Sequence, residues 1–283
     1  IRPGNLLIIE STSPVGTTDK VVAMLGEKGV PINDIFIAYC PERVLPGKAI
    51  YELIENDRII GGINSMSTKA ASDFYQNYIK GKILCTSARI AEMTKLAENS
   101  FRDVNIAFAN ELSMVCDDLG IDVNEVIELA NHHPRVNILN PGCGVGGHCI
   151  AEDPWFIVDS APQLSKIIRT GREVNEFKTK WVIKKVKEEY RKEKYNNPVI
   201  AVLGLSYKPD IDDLRTSPSV KIAKALVHEN DAEFLIVEPN IKEHKDFKLT
   251  RFDIAIKNAD IIVCLVAHKE FKGLIGRSTE AVV

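Results

Sequence analysis

The residue types best suited to chemistry gather in Gly142-Cys-Gly-Val-Gly-Gly-His-Cys149-Ile-Ala-Glu-Asp153. Cys149 closes a glycine-rich loop and precedes a stretch, 150–153, that reads as a helical turn. Amides at such a turn favour the thiolate, which makes this sulfur a candidate nucleophile. Asp153 lies four residues on, and in a helical turn its carboxylate projects beside the sulfur, where it can hold a water or share a proton. The bland alternative is a buried structural thiol, a common fate of free cysteine. Residues 142–147 also spell a literal G-x-G-x-x-G. A dinucleotide fingerprint needs a strand before it and a helix opening at its last glycine, whereas here Asn140-Pro141 precedes and Pro154 follows. The glycines read instead as a place where backbone passes close to a ligand or to neighbouring residues. His132, His133, Cys143, His148 and Cys149 raise a zinc reading, but their spacing matches no zinc ligand pattern, and no metal is expected.

Three further segments carry polar groups at useful spacing. Lys95 and Asn99 are four residues apart and share a face of any helix that contains them. A cation and an amide donor there could be aimed at a developing oxyanion; the plain alternative is a solvated stripe. Glu10-Ser-Thr-Ser-Pro-Val-Gly-Thr-Thr18 follows a strand-like run and precedes a helical one, the carboxyl edge at which α/β sheets bind ligands. Helix capping by Thr17 or Thr18 accounts for part of it without a ligand. Gly204-Leu-Ser-Tyr-Lys208-Pro-Asp-Ile-Asp-Asp-Leu-Arg215-Thr-Ser217 again joins strand to helix and is expected to be able to seat phosphate at a helix N-terminus. Its cations could equally pair with Asp210, Asp212 and Asp213.

The elements that must hold these groups follow from hydrophobic periodicity. Apolar runs at 6–9, 35–39 and 58–62 alternate with helical stretches at 18–28 and 67–78, with a polar loop between 39 and 58, as in βαβ units of a parallel sheet. From 88 to 119 there is neither Pro nor Gly, and Ile90, Met93, Leu96, Ala97, Phe101, Val104, Phe108, Leu112 and Val115 recur at helical spacing. This predicts one helix about 50 Å long. Its 104–115 half is apolar on more than one face, which predicts burial against a partner in a homodimer. Gly120 reads as its C-cap, and Asp122 with Glu125 as the N-cap and N3 of a helix over 123–131. After a loop at 132–147, helical periodicity resumes at Ser165 and ends in the charged 184–194, read as a solvated face and then a linker. Asn196-Asn-Pro198 marks a boundary. Beyond it come a strand at 199–203, a helix at 218–228 and strands at 234–237 and 261–266. The expected architecture is α/β, with two Rossmann-like doubly wound domains, the first incomplete, joined by a long central helix. The expected domains are 1–87, 88–194 and 195–283.

Composition excludes several classes. The chain has 283 residues, 45% hydrophobic and 27% charged, within the range of folded globular proteins. A net charge of -3 supplies no basic field for nucleic acid or an anionic membrane. No apolar run reaches the roughly 20 residues of a spanning helix, and a cytoplasmic location is expected. The six cysteines form no Cys-x-x-Cys pair, so reduced thiols are expected. The opening Ile1, close to a strand-like run, reads as a chain whose N-terminal portion is missing.

Taken together, Glu10 to Thr17, Tyr39-Cys-Pro-Glu42-Arg, Lys95 to Asn99, Arg135 to Asp153 and Gly204 to Ser217 resemble the nucleotide-sugar 6-dehydrogenases, which oxidise a UDP-sugar alcohol to a uronic acid. Pro41-Glu-Arg-Val-Leu-Pro46-Gly-Lys and Gly147-His-Cys-Ile-Ala-Glu-Asp-Pro-Trp-Phe are most similar to the UDP-N-acetylmannosamine branch; UDP-glucose enzymes often carry Glu at the position of Pro46 and Lys at that of Glu152. The resemblance implies NAD as cofactor and Cys149 as a nucleophile that passes through a thiohemiacetal and a thioester. It implies that Lys95 and Asn99 stabilise oxyanions, and that Thr12, Glu42 and Asp153 position water and assist proton transfer. It further implies that Arg135, Asn137, Gly146 and Lys208 bind the sugar nucleotide, Arg135 across a subunit boundary, and that Ser11, Thr12 and Arg215 bind the cofactor. The family's cofactor fingerprint is expected ahead of residue 1, so the chain as given is expected to bind NAD poorly and to be inactive alone. Other UDP-hexose 6-dehydrogenases, such as the glucose or N-acetylglucosamine enzyme, and a non-catalytic nucleotide-sugar binding protein are the competing readings.

Overall fold

Short runs such as Leu-Leu-Ile-Ile and Phe-Ile-Ala-Tyr form strands because their apolar side chains are covered on both sides of a sheet. A computed structural model describes residues 1–44, 49–192, 195–229, 232–274 and 281–282. They fall into two units, Ile1–Phe101 with Asp153–Lys166, and Arg102–Glu152 with Ile167–Val283. The first begins with β1 (Leu6–Ile9), α1 (Thr17–Glu27), β2 (Phe36–Tyr39), α2 (Ala49–Glu55), β3 (Arg58–Gly62), α3 (Ser65–Tyr75) and β4 (Ile83–Ser87). Strand order is β1-β2-β3-β4. β1 pairs parallel to β2 and β3 parallel to β4, but β2 and β3 run antiparallel, with Ala38 opposite Gly62. The expectation of a parallel sheet is corrected to a mixed one. The polar 40–57 connection contains α2, unforeseen in the sequence, and seven residues of helix do not carry the chain back along the sheet as a parallel crossover does. Pro46 lies outside the described residues.

The long helix α4 (Ala88–Leu119) has the predicted bounds. It ends at Gly120, whose φ of +68° lets Ile121 N–H bond back to Cys116 O at 2.8 Å. α5 (Val123–Asn131), α6 (Asp153–Ser160) and α7 (Lys166–Tyr190) follow, α5 capped by the Asp122 carboxylate on Asn124 N–H. In the second unit, the 102–119 part of α4 meets α7 through polar groups as well as apolar ones. Buried Arg172 reaches Asp103 Oδ1 at 2.6 Å, Asn175 donates to the same oxygen at 2.8 Å, and Asn110 donates to Asn175 at 2.8 Å. Lys178 Nζ donates to Ser113 Oγ at 2.9 Å and sits 4.0 Å from the Trp181 ring centroid. Phe108 and Val115, expected to be covered by a second copy of the chain, are 54% and 49% exposed in the single chain.

The second sheet contains β5 (Val199–Leu203), β6 (Glu233–Val237), β7 (Ile261–Cys264) and β8 (Ala281–Val282), with α8 (Pro218–Val227) and α9 (Phe252–Asn258) as connections. Its order is β6-β5-β7-β8, parallel throughout. Val182, Val186 and Tyr190 of α7 pack into the core made by Ile200, Val202, Ile222, Leu226 and Val263. The stretch read as a solvated face and linker therefore buries one side against this sheet as far as Tyr190, while residues 193–194 lie outside those described. The six cysteines, all among the described residues, form no disulfide.

Candidate active site

In the first unit, the candidate groups stand at the carboxyl ends of β1 and β2 and on α4. Ser11 is exposed and Thr12 half-buried directly after β1. Glu42 N–H donates to Glu10 O at 3.1 Å, and Glu42 Oε1 accepts from the amides of Arg43 and Val44 at 2.6 and 2.7 Å. Arg43 in turn pairs with Glu98 of α4 at 2.8 Å. Asn99 and Asp153 are both buried, and Asn99 Nδ2 donates to Asp153 Oδ2 at 2.5 Å. Lys95, one turn earlier on α4, is half-buried and makes no ion pair among the described residues.

Glu92, on the same face of α4, was not foreseen from the sequence. Fully buried, it accepts from Gly16 N–H at 2.6 Å, Thr18 N–H at 2.8 Å and Thr18 Oγ1 at 2.7 Å. The expected capping of α1 by Thr17 or Thr18 is thus corrected: Gly16 is the N-cap, and a distant carboxylate binds the orphan amides. The available signal was an acidic residue beside buried Ala91, in line with Ala88. Tyr39 is wholly buried nearby, and its hydroxyl has no hydrogen-bond partner among the described residues. Burial, with the negative charges of Glu92 and Asp153, holds its pKa well above the ordinary phenol value.

In the second unit, Cys149 is half-exposed at a bend, and a turn follows in which Glu152 N–H donates to Cys149 O at 3.1 Å. Helix begins only at Asp153, one turn later than expected. The glycine loop before Cys149 is pinned from several sides. Gly142 N–H donates to Asn110 Oδ1 at 2.8 Å, Thr179 Oγ1 to Cys143 O at 2.9 Å, and Thr216 Oγ1 to Gly147 O at 2.9 Å. A Cβ on Gly146 would stand 2.7 Å from Tyr207 Cβ and 2.8 Å from Pro218 Cδ, so close packing demands glycine there. No strand precedes this segment and no helix opens within it, so it is not a dinucleotide fingerprint. Tyr207 and Arg215 lie within electrostatic reach of Cys149. Cys143 touches Ser219 Oγ at 3.4 Å, and burial pushes its thiol up. The residues of the zinc reading do not converge: among the described residues, the group able to converge is Asp210, His268 and Glu270. Arg135 and Asn137 are exposed, in a segment braced where the Asn131 side chain bonds Ile138 N–H and O at 2.7 and 3.0 Å.

The 204–217 loop differs from a phosphate-binding one. Gly204, at φ +89°, passes so near Val266 that a Cβ would lie 2.5 Å from that residue's Cβ. The next amides, Leu205 and Ser206, donate to Glu238 Oε2 at 2.7 and 3.0 Å. Glu238 ends β6, where a dinucleotide domain places its ribose-binding acid, yet here it turns inward to its own loop. Burial raises its carboxyl, but hydrogen bonds from Asn240 and Leu205 bring it net below the ordinary value. Ser217 Oγ accepts from Ser219 and Val220 N–H at 3.2 and 3.4 Å and donates to Leu205 O at 2.6 Å. The first amides of α8 are therefore capped internally, and the expected phosphate seat at that helix end is not offered by these amides. Arg215 is exposed and pairs with Asp213 at 2.6 Å, which holds that carboxyl below its usual range. Lys208 is exposed and makes no ion pair among the described residues.

Residues 1–79, 89–177 and 201–282 match the NAD binding, central and UDP binding domains of the UDP-glucose/GDP-mannose dehydrogenase family. A UDP-N-acetyl-D-mannosamine dehydrogenase of Campylobacter jejuni is 53% identical, the alignment covering 96% of this chain and 70% of that protein. An NDP-N-acetyl-D-galactosaminuronic acid dehydrogenase of Ralstonia solanacearum is 50% identical, over 97% of this chain and 67% of its own. The solved UDP-D-ManNAc dehydrogenase of Pyrococcus horikoshii superposes with a TM-score of 0.86 at 38% identity, over 99% of this chain and 68% of that one. The chain belongs to the UDP-glucose/GDP-mannose dehydrogenase family. Its class is NAD-dependent dehydrogenase. The residues present fit part of a dinucleotide site: Ser11 and Thr12 offer hydroxyls at the sheet edge, and open space surrounds the position of a Cβ on Gly16. The N-terminal amides of α1, bonded to Glu92, do not offer a phosphate seat. Among the described residues, no helix is long and apolar enough to cross a membrane.

Proposed function

We propose that this chain oxidises the C6 alcohol of UDP-N-acetyl-D-mannosamine to the uronic acid, with Cys149 as covalent nucleophile. The observation that carries this reading is the buried Asn99–Asp153 hydrogen bond, which fixes a carboxylate four residues downstream of a half-exposed thiol. Ser11, Thr12 and Arg215 hold NAD, which when bound accepts the C6 hydride at each of two oxidations. An alcohol reaches the carboxylate level in one site when its aldehyde is trapped, and a thiolate is a suitable trap. Cys149 Sγ adds to the aldehyde carbon, giving a thiohemiacetal. Hydride loss from that carbon, with loss of its hydroxyl proton, leaves a thioester. Water adds to the thioester carbonyl, the C–S bond breaks, and acid and thiol are released. Lys95 and Asn99 donate to the oxyanions that form at this carbon. Thr12, Glu42 and Asp153 hold the water and take up its proton, while Arg135, Asn137, Gly146 and Lys208 retain the sugar nucleotide. The choice of N-acetylmannosamine is supported by the name of the relative at 53% identity; the galactosaminuronic acid enzyme at 50% makes another N-acetylhexosamine the second candidate.

On the intact protein, a panel of UDP-sugars followed by NADH formation tests this reading. Two NADH per sugar with UDP-N-acetylmannosamine, and loss of acid formation but not of UDP-sugar binding in Cys149→Ser, are the expected results. One NADH per sugar, or acid formation by the serine variant, overturns it.

The long helix supports a homodimer. Ile90, Phe101, Phe108 and Val115 are 58%, 70%, 54% and 49% exposed, an apolar stripe that a second copy would cover. Light scattering should give twice the chain mass, and Phe108→Glu with Val115→Glu should halve it.

A further inference from the structure

His268 is wholly buried where the end of β6, the 205–213 loop and the turn after β7 meet. Its two ring nitrogens have opposite surroundings. Nδ1 receives Asp210 N–H at 2.9 Å and faces Asn240 Nδ2 at 3.0 Å, both donors. Nε2 faces Glu238 Oε2 at 3.1 Å and Ser206 Oγ at 3.3 Å. The arrangement is satisfied by one tautomer, the neutral ring with its proton on Nε2. Ser206 Oγ donates to Lys208 O at 2.7 Å, so the ring, Glu238 and Ser206 hold the backbone on both sides of Lys208.

We propose that neutral His268 is a positioning residue for Lys208, and that protonating it releases the Lys208 loop and weakens nucleotide-sugar binding. A proton on Nδ1 would point at two donors. A carboxylate oxygen nearby, Asp210 Oδ1, is 3.8 Å away and already accepts from Lys269 N–H at 3.0 Å. Exchanging the Asp210 amide for its carboxylate requires that residue to turn over, and it already stands at a left-handed φ of +60°. The charged groups around the ring are Glu238 from β6, Asp210 from the loop, and Glu270, with a carboxylate oxygen within 4.8 Å, beside Lys269. The inference rests on the reading of Lys208 as a contact to the sugar nucleotide.

The test is calorimetric binding of UDP-N-acetylmannosamine to the intact protein at about pH 8 and about pH 5.5. The pyrophosphate diester of this probe does not titrate over that range. Wild type should weaken about tenfold at the lower pH, the scale of one charge-assisted hydrogen bond. His268→Gln, whose amide offers an acceptor to the two donors and a donor to Glu238, should lose that pH dependence. His268→Leu should bind weakly at both values. Imidazole 15N shifts of the wild type at pH 8 should show the Nε2–H tautomer, a readout that stands even if a variant fails to fold; an Nδ1–H ring overturns the proposal. Equal pH dependence in wild type and His268→Gln, alongside weakened binding by Lys208→Ala, overturns the role of His268 alone. Unchanged binding by Lys208→Ala, or no binding by wild type at either pH, overturns the underlying reading and the inference with it.

Discussion

Asn99 and Asp153 are 54 positions apart in the chain, yet their side chains meet in a buried hydrogen bond of 2.5 Å. The carboxamide occupies one oxygen of the carboxylate and thereby fixes its plane. Such a carboxylate is oriented before any substrate arrives, the condition for efficient proton transfer.

Asp153→Asn keeps an acceptor for Asn99 but removes the base. The turnover number measured by NADH formation should fall about 10²- to 10⁴-fold, with melting temperature and KM near wild type. Undiminished turnover would remove Asp153 from the proton-transfer role.

Glu92→Gln replaces an oxygen that accepts bonds from the α1 terminus with an amide NH₂ facing donors. Calorimetric unfolding should show a loss of about 1–3 kcal/mol, the cost of buried unsatisfied donors. A melting temperature equal to wild type would mean that α1 finds other partners for Gly16 and Thr18.

Burial lowers the ammonium of Lys178 to about 8. Below that pH the amine is charged in folded and unfolded chains alike, and its desolvation cost is fully present. Between about 8 and the ordinary lysine value the unfolded chain binds more protons, so this group makes stability rise with pH, by on the order of 3 kcal/mol across the window. Lys178→Met should abolish that rise; denaturant titrations at about pH 7.5 and about pH 10 for the two proteins provide the comparison.

Gly146→Ala places a methyl group against Tyr207 and Pro218 at separations of 2.7 and 2.8 Å. Overpacking of this kind should cost about 1–3 kcal/mol and displace the loop that leads to Cys149. Differential scanning calorimetry and the rate of Cys149 alkylation should both change; a variant identical in both would show that the loop moves freely.

Much of the scaffold was legible because its signals are local. A run of 32 residues without Pro or Gly announces α4, Gly120 announces its end, and the apolar runs announce β1, β2, β3 and β5. The antiparallel pairing of β2 with β3 was not legible, since pairing direction is decided by the path of the connection and not by strand composition. Within the candidate site, Lys95 and Asn99 were visible as a helical pair. Their neighbour Glu92 was not, because a glutamate on a helix is ordinarily solvated and its partners lie 74 and more positions upstream. Glu238 and His268 were hidden for the same reason: each is unremarkable alone, and the parallel sheet brings them together from 30 residues apart.

The Glu238 carboxylate has a consequence for the division of labour between two similar-looking sheets. By filling the nest after β5 with its own charge, the C-terminal lobe carries a built-in decoy for a dinucleotide's pyrophosphate. Free cofactor would have to evict a covalently tethered competitor to settle there.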